Sequence, residues 1–143
     1  MRSPGVVTAQ PVGCGKIVVQ AVLRWSAVIL WMAVIFVLSD IPSLASPFEP
    51  FYDFVFRKLA HVTEYAILTV LLVIALRFHK IRDAHTFIIA ALIAVLYAFS
   101  DEWHQTFVPG REGSLRDVAV DGLGVGASLA FTSRKQPRSK PVQ

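Results

Sequence analysis

The sequence predicts an all-α integral membrane bundle of four transmembrane helices, with both termini in the cytoplasm. Three observations lead to this prediction: an apolar composition, four hydrophobic segments, and basic residues in alternate loops. Of the 143 residues, 55% are hydrophobic and only 17% are charged, whereas a soluble domain carries about a quarter of charged residues. A chain of this length has room for one domain, and its single cysteine excludes an internal disulfide.

The four hydrophobic segments run from about Ile17 to Leu38, Leu59 to Leu76, Ala84 to Ser100, and Val118 to Thr132. The first is longer than the apolar core of a signal peptide, so we interpret it as a retained span. The fourth covers roughly 15 residues, where about 20 normally cross the hydrocarbon. It becomes long enough if the acidic residues at its start lie at the polar end of the helix.

Small residues recur along the fourth segment in two rows. Gly122, Gly126 and Ala130 are spaced four apart, and Gly124 and Ser128 form a second row beside them. Such rows allow helices to approach closely. The alternative is an ordinary apolar helix in which small residues occur by chance.

Positive charge indicates the topology. Ten of the fourteen basic residues, but only one of the ten acids, flank one side of the predicted spans: Arg2, Lys16, Arg24, Arg77, Lys80, Arg82, Arg134, Lys135, Arg138 and Lys140, with Asp83. Basic loops stay in the cytoplasm. We therefore expect a cytoplasmic N-terminal segment (1–16), a membrane domain (17–132) and a basic cytoplasmic tail (133–143), in a multi-pass protein of the cytoplasmic membrane. Because the basic residues lie beside hydrophobic segments, we do not expect a nucleic-acid partner.

A polar stripe is predicted near the outer end of the second span. At 3.6 residues per turn, Lys58, His61 and Tyr65 fall on one face of the helix, with Glu64 at its margin. The aromatic loop before this span, residues 48–56, also contains prolines and is typical of an interfacial segment at headgroup level.

A second polar group lies between the third and fourth segments, at the same predicted level. The last turn of the third span carries Asp101, Glu102, His104 and Gln105, and Pro109-Gly110 then predicts a turn. The fourth span opens with further charged residues. These are Arg116, Asp117 and Asp121, and Arg111 precedes them. Ionisable groups at membrane depth usually face a bundle interior or a polar cavity, so the two groups together predict an outward-facing site. Lys58, Arg111 and Arg116 are candidate partners for the two aspartates.

The chain resembles the VanZ-like membrane proteins. The resemblance covers about Phe36 to Ala130 and rests on three motifs: Lys58-x-x-His61-x-x-x-Tyr65, then Ser100-Asp101-Glu102-x-His104-Gln105-x-Phe107-x-Pro109-Gly110-Arg111, then Arg116-Asp117-Val118 with Gly122-x-Gly124. One departure is Asp121, where many members are expected to have Asn. The resemblance implies a small multi-span envelope protein, in a family named after low-level resistance to the glycopeptide teicoplanin.

Two functional hypotheses and one structural alternative remain open. In the first hypothesis the site binds a lipid headgroup or a lipid-linked cell-wall or polysaccharide precursor. The ligand-binding candidates are Lys58, Tyr65, Gln105, Arg111, Arg116, Asp117 and Asp121. Arginine suits phosphate and carboxylate because its guanidinium donates two parallel hydrogen bonds. In the structural alternative the same groups form a buried network that only fixes helix packing. The oligomeric state stays open.

The second hypothesis is a membrane enzyme that hydrolyses such a lipid or transfers a group from it. The catalytic candidates are His61 or His104 as general base, oriented by Asp101 or Glu102. The sequence requires no cofactor, but a divalent cation would suit the carboxylates, or zinc the two histidines with a carboxylate. No established catalytic spacing is present, so whether the chain is an enzyme stays open.

Overall fold

Four α-helices make up the part of the protein that the computed structural model describes, residues 14–41 and 50–134. They are α1 (Cys14–Ser39), α2 (Pro50–Phe78), α3 (Asp83–Gln105) and α4 (Leu115–Arg134). Within the described ranges there is no strand, and each predicted hydrophobic segment lies inside one helix. The all-α prediction is confirmed. The predicted N-terminal segment and basic tail fall largely outside the described residues.

Three of the helices are long and apolar enough to cross a membrane, over Gly15–Ser39, Val55–Phe78 and Asp83–Gln105. They fit a multi-pass membrane protein embedded in a lipid bilayer. The fourth helix has 20 residues, about 30 Å at 1.5 Å per residue. Its first two turns carry charged residues, so α4 is not among the three helices that meet the apolar criterion.

The core of the bundle is built around α2, which packs against each of the other helices and most extensively against α4. Tyr65 and Leu68 of α2 are fully buried. Ala90, Ala94 and Ala98 of α3, spaced four apart, are buried as well. Small side chains in such a row let α3 approach its neighbouring helices closely. Most apolar side chains of α1 are instead exposed, as expected of a helix that faces lipid.

Polar side chains gather where α1 and α3 end and where α2 and α4 begin. Ser39 of α1 contacts Asp101 of α3, and Lys58 of α2 contacts Asp117 of α4. These contacts place the C-terminal turns of α1 and α3 beside the N-terminal turns of α2 and α4. We call this region the polar end of the bundle.

Only one of the two small-residue rows of α4 lies in a helix interface. Gly124 and Ser128 are buried, and a Cβ atom on Gly124 would lie 2.2 Å from the carbonyl oxygen of Val62 in α2. A Cβ atom on Gly122 or Gly126 would meet nothing within 4 Å. The close approach predicted for the Gly124 row is thus observed, whereas the Gly122 row does not mediate packing within the described bundle.

The start of α2 corrects one expectation. The aromatic segment was expected to be a loop, but residues 50–56 form the first turns of α2; residues 48 and 49 lie outside the described part. Proline suits a helix start because its φ angle is already helical and its missing N–H is not needed there. The proline therefore marks the beginning of the helix rather than an interruption before it.

Candidate functional site

The polar end contains several polar side chains that are almost completely buried. Asp101, Glu102, Gln105 and Asp121 are each at most 4% exposed, and Ser39 is 2% exposed. Burying a polar group is unfavourable unless it is hydrogen-bonded, and burying a charge is more so unless it is paired. The partners of these side chains therefore indicate what the site can do.

Asp101 belongs to a network that ties α1 to α3. The Ser39 hydroxyl donates a hydrogen bond of 2.8 Å to Asp101 Oδ2. The Gln105 amide, one turn along α3, donates to the same oxygen at 3.1 Å. Both donors belong to helices of the bundle, so these two hydrogen bonds help to hold α1 against α3. The contacts of Asp101 Oδ2 are therefore explained by a structural role.

Glu102 is held by the loop between α3 and α4. The backbone N–H of Ser114 donates a hydrogen bond of 2.9 Å to Glu102 Oε2. The loop lies so close to α3 that a Cβ atom on Gly113 would be 1.9 Å from the carbonyl oxygen of Glu102. The second carboxylate oxygen, Oε1, is buried and has no hydrogen-bond partner among the described residues.

His61 and Asp121 face each other across the α2–α4 interface. His61 Nδ1 lies 3.2 Å from Asp121 Oδ1. Neither atom makes a well-oriented hydrogen bond within the described part of the chain, and Asp121 Oδ2 has no partner there either. One ligand-type atom each from His61, Glu102 and Asp121 lies within 4.8 Å of the other two. These three side chains, which we call the triad, could therefore hold a metal ion.

The neighbouring aspartate has a conventional partner. Lys58 forms an ion pair with Asp117, which lies in the first turn of α4, where the helix dipole favours an acid. Arg116 is exposed and lines a separate depression with Lys58 and Asp117. Of the three cations predicted as partners for the two aspartates, Lys58 is the one that the structure places on Asp117, while His61 faces Asp121.

Arg111 contacts α1 rather than the aspartates. Its Nε and Nη2 atoms donate hydrogen bonds of 2.9 and 3.0 Å to the carbonyl oxygens of Ile41 and Leu38. Carbonyls at the C-terminal end of a helix have no partner within the helix, so α1 offers acceptors that a guanidinium can reach. This contact fixes Arg111 in place at the polar end.

His104 differs from the expected arrangement. It was expected to be oriented by Asp101 or Glu102, but its Nε2 atom lies 3.2 Å from Asp40 Oδ1. Its ring packs on Phe36 at a centroid distance of 4.4 Å. The reason is geometric: Asp101 and Glu102 point into the bundle, whereas His104 lies beside the end of α1. Of the two candidate bases, His61 is the one that lies near Glu102, whereas His104 lies near Asp40.

Two adjoining clefts open at the polar end and share Arg57, His61 and Arg111. The larger, of about 310 Å³, is lined by Arg57, Lys58, His61, Gln105, Gly110, Arg111, Glu112 and Asp117. The smaller, of about 210 Å³, is lined by Leu38, Ser39, Arg57, Ala60, His61, Glu64 and Arg111. Tyr65 lies one turn along α2 from His61; it is fully buried, and its hydroxyl has no hydrogen-bond partner in the described structure.

Several residues of this region were not predicted as site residues. Ser39 ends α1 and Asp40 follows it, and Arg57 and Glu64 line the clefts from α2. The sequence did contain a signal for the first two: under the predicted topology the first span would end on the same side of the membrane as the other polar groups.

Comparison with known proteins places the chain in a family. The VanZ/LLP1 family model matches residues 24–134, which include all of α2, α3 and α4 and most of α1. No curated protein and no solved structure was found to match the chain. Since the match covers well over half of the sequence and all of the polar end described above, the chain belongs to the VanZ/LLP1 family.

Proposed function

We propose that this protein binds an anionic group of a lipid, or of a lipid-linked cell-wall or polysaccharide precursor, at the polar end of its bundle. In this proposal all four helices cross the bacterial inner membrane, both termini are cytoplasmic, and the polar end faces outward. Membership of the VanZ/LLP1 family supports a role in the envelope, and a contribution to glycopeptide resistance would follow the property after which the family is named.

The basic lining of the larger cleft is the observation that carries the proposal. Arg57, Lys58 and Arg111 all line it, and guanidinium groups donate paired hydrogen bonds to phosphate and carboxylate. The cleft volume of about 310 Å³ is near the lower end of the range for small-molecule sites, about 300–1,000 Å³. A headgroup phosphate or a single sugar fits that size, with the apolar chain left in the bilayer.

Arg111 is the best-defined ligand group in this cleft. Its hydrogen bonds to the end of α1 hold the side chain in place before any ligand arrives. Fixing a group in advance lowers the entropy lost on binding. Lys58 adds a point charge, while Asp117 positions Lys58 through their ion pair. Gln105 lines the same cleft and can donate to a ligand oxygen. Arg116 lines a neighbouring depression, whereas Tyr65 and Asp121 are fully buried and would act only from behind the lining of the cleft.

The orientation can be tested with single cysteines in a chain whose Cys14 is replaced by serine. A cysteine at the exposed residue Glu112, between α3 and α4, should react with an impermeant maleimide in intact cells. A cysteine at the exposed residue Arg82, between α2 and α3, should react only after permeabilisation. The opposite pattern would place the polar end in the cytoplasm and remove the extracellular ligand from the proposal.

The ligand can be tested by native mass spectrometry of the protein in mild detergent. Phosphatidylglycerol, a polyprenyl phosphate and the uncharged-headgroup control diacylglycerol would be added separately. We expect adducts with the two anionic lipids and at least about tenfold fewer with Arg111→Gln, since hydrogen bonds to charged groups contribute about 1.5–3 kcal/mol. The matched control is Arg82→Gln, which removes an exposed arginine between α2 and α3 and should leave the adducts unchanged.

Equal adducts in the Arg111 variant, the parent and the control would overturn the assignment of the cleft. Preference for the polyprenyl phosphate over phosphatidylglycerol would indicate an envelope precursor as ligand, and the reverse preference a membrane phospholipid. If the lipid released from the protein has a different mass from the lipid that was added, the result would instead support the enzyme candidate.

One observation favours that second candidate, a lipid hydrolase or transferase. His61 lines both clefts, so a bound lipid would lie next to an imidazole whose Nδ1 atom is 3.2 Å from an acid, Asp121. Such a histidine can act as a general base. In the structural alternative the polar groups would serve packing only, and the surroundings of Asp101 fit that description best.

A further inference from the structure

We propose that His61, Glu102 and Asp121 form a binding site for one divalent transition metal ion, with Zn²⁺ or Mn²⁺ as the preferred ion. The site would lie beneath the floor of the clefts. His61 connects the site to both clefts, because it lines each of them. This inference goes beyond the proposed function and does not depend on it, because it concerns the triad and not the lipid.

The separation of the donor atoms supports a metal between them. Zinc lies about 2.0–2.1 Å from a histidine nitrogen and about 2.0–2.2 Å from a carboxylate oxygen, so at a tetrahedral angle two such ligands are about 3.3 Å apart. The observed distance from His61 Nδ1 to Asp121 Oδ1 is 3.2 Å. The same distance also suits a direct ion pair of a protonated His61 with Asp121, so the preference for a metal depends on the buried oxygens that such a pair leaves unsatisfied among the described residues.

Glu102 is already oriented for such a role. Its Oε2 atom is bonded by the Ser114 N–H, and its Oε1 atom is left without a partner in the described structure. When a carboxylate binds a metal through one oxygen, proteins commonly orient it by a hydrogen bond to its other oxygen. One donor atom from each of the three side chains lies within 4.8 Å of the other two, so all three residues are near enough to share one ion.

The burial of Asp121 is the second, independent observation. Its side chain is 0% exposed, and neither oxygen has a hydrogen-bond partner among the described residues. His61 Nδ1 lies 3.2 Å from Oδ1, but Oδ2 has no such partner in the described structure, and a buried charge needs compensation. A divalent cation supplies one, since two carboxylates and a neutral imidazole together balance its charge.

The donor set selects the class of ion. Imidazole suits zinc and other transition metals, whereas carboxylates also suit manganese. Mg²⁺ and Ca²⁺ prefer oxygen ligands alone, so the histidine argues against them. Three protein ligands would leave at least one coordination position open, which is typical of catalytic rather than structural zinc sites.

The experiment uses untagged, full-length protein in detergent, stripped with a chelator and titrated calorimetrically with ZnCl₂ or MnCl₂ in the absence of added lipid. We expect one equivalent of the ion to bind, and metal analysis after desalting to confirm the stoichiometry. Asp121→Asn and Glu102→Gln should each weaken binding by at least about 100-fold, since even outer-shell changes cost about 10–100-fold in affinity. Asp83→Asn removes a carboxylate paired with Arg77 on another part of the bundle and should bind normally.

Two results would overturn the proposal. One is the absence of a stoichiometric site in the parent, and the other is equal binding by the parent and both triad variants. If the variants do not fold, Co²⁺ is added to the parent protein instead. The visible spectrum of Co²⁺ reports the number of ligands that coordinate it. An intense spectrum of a four- or five-coordinate ion, displaced by Zn²⁺, supports the triad; the weak spectrum of the hydrated ion contradicts it.

Discussion

Gly124→Ala should prevent stable packing of α4 against α2. The new Cβ atom would lie 2.2 Å from the carbonyl oxygen of Val62, 3.0 Å from its carbonyl carbon and 3.2 Å from the backbone nitrogen of Ala66. All three are backbone atoms of one helix, which cannot move aside as a flexible side chain can. Overpacking of this kind costs about 1–3 kcal/mol and at times more. We expect a lower yield of folded protein and a lower thermal midpoint in detergent.

Gly126→Ala is the matched control for this prediction. It makes the same chemical change on the same helix, but a Cβ atom there meets nothing within 4 Å. Since alanine favours a helix more than glycine does, this variant should be as stable as the parent or slightly more so. Equal behaviour of the two variants would show that α4 does not pack on α2 through Gly124.

Gly113→Ala should disrupt the site with a smaller effect on the bundle. A Cβ atom there would lie 1.9 Å from the carbonyl oxygen of Glu102, so the loop has to move away from α3. The Ser114 N–H would then lose its hydrogen bond to Glu102 Oε2. We expect a loss of about 1–3 kcal/mol in stability. Because the bond orients a proposed ligand, a further loss of about 10–100-fold in metal affinity is expected.

Thermal unfolding and metal titration of Gly113→Ala, beside Gly126→Ala, would check this prediction. Unchanged metal binding in a folded Gly113→Ala protein would mean that the loop does not orient Glu102. Loss of metal binding in the Gly126 control would point to a general effect of detergent or handling, because that residue lies away from the triad.

The helices were predictable because the local pattern of apolar residues in each segment already favours a helix. Long apolar runs such as the one from Ile17 to Leu38 admit little besides a helix in a membrane, and the described α1 contains it entirely. The start of α2 was missed because Pro50 and the aromatic residues after it also suit an irregular interfacial segment. That choice depends on the preceding residues and on tertiary contacts, which a local pattern does not report.

The grouping of the candidate residues was predictable in part. Lys58 and His61 lie on one stripe of α2, as helical spacing indicated, and both contact aspartates of α4. Lys58 was among the predicted partners of these aspartates, but the pairing of His61 with Asp121 was not predictable, because it depends on the rotation of α4 about its own axis. That rotation follows from the row of small residues that packs: with Gly124 against Val62, Asp121, three residues earlier on the same face, points at His61.

The contribution of α1 was the largest omission. Ser39 and Asp40 were treated only as the end of a span, although they contact Asp101 and His104. Contacts between segments some 60 residues apart have no signature in a single sequence. His104 illustrates the consequence, since its nearest acid in the sequence is not the acid that it contacts.

The central claim is that the polar end of the bundle binds a ligand rather than only fixing the packing. The measurement that tests it most directly is the unfolding midpoint of the parent and Arg111→Gln as a function of added polyprenyl phosphate. A ligand that binds only the folded state stabilises it by about 2.7 kcal/mol at a concentration 100 times its Kd. We predict a midpoint that rises with ligand in the parent and rises much less in a folded variant, since a tenfold weaker site gains only about 1.4 kcal/mol at the same concentration. A parent whose midpoint does not respond, or a variant that responds equally, would contradict the claim.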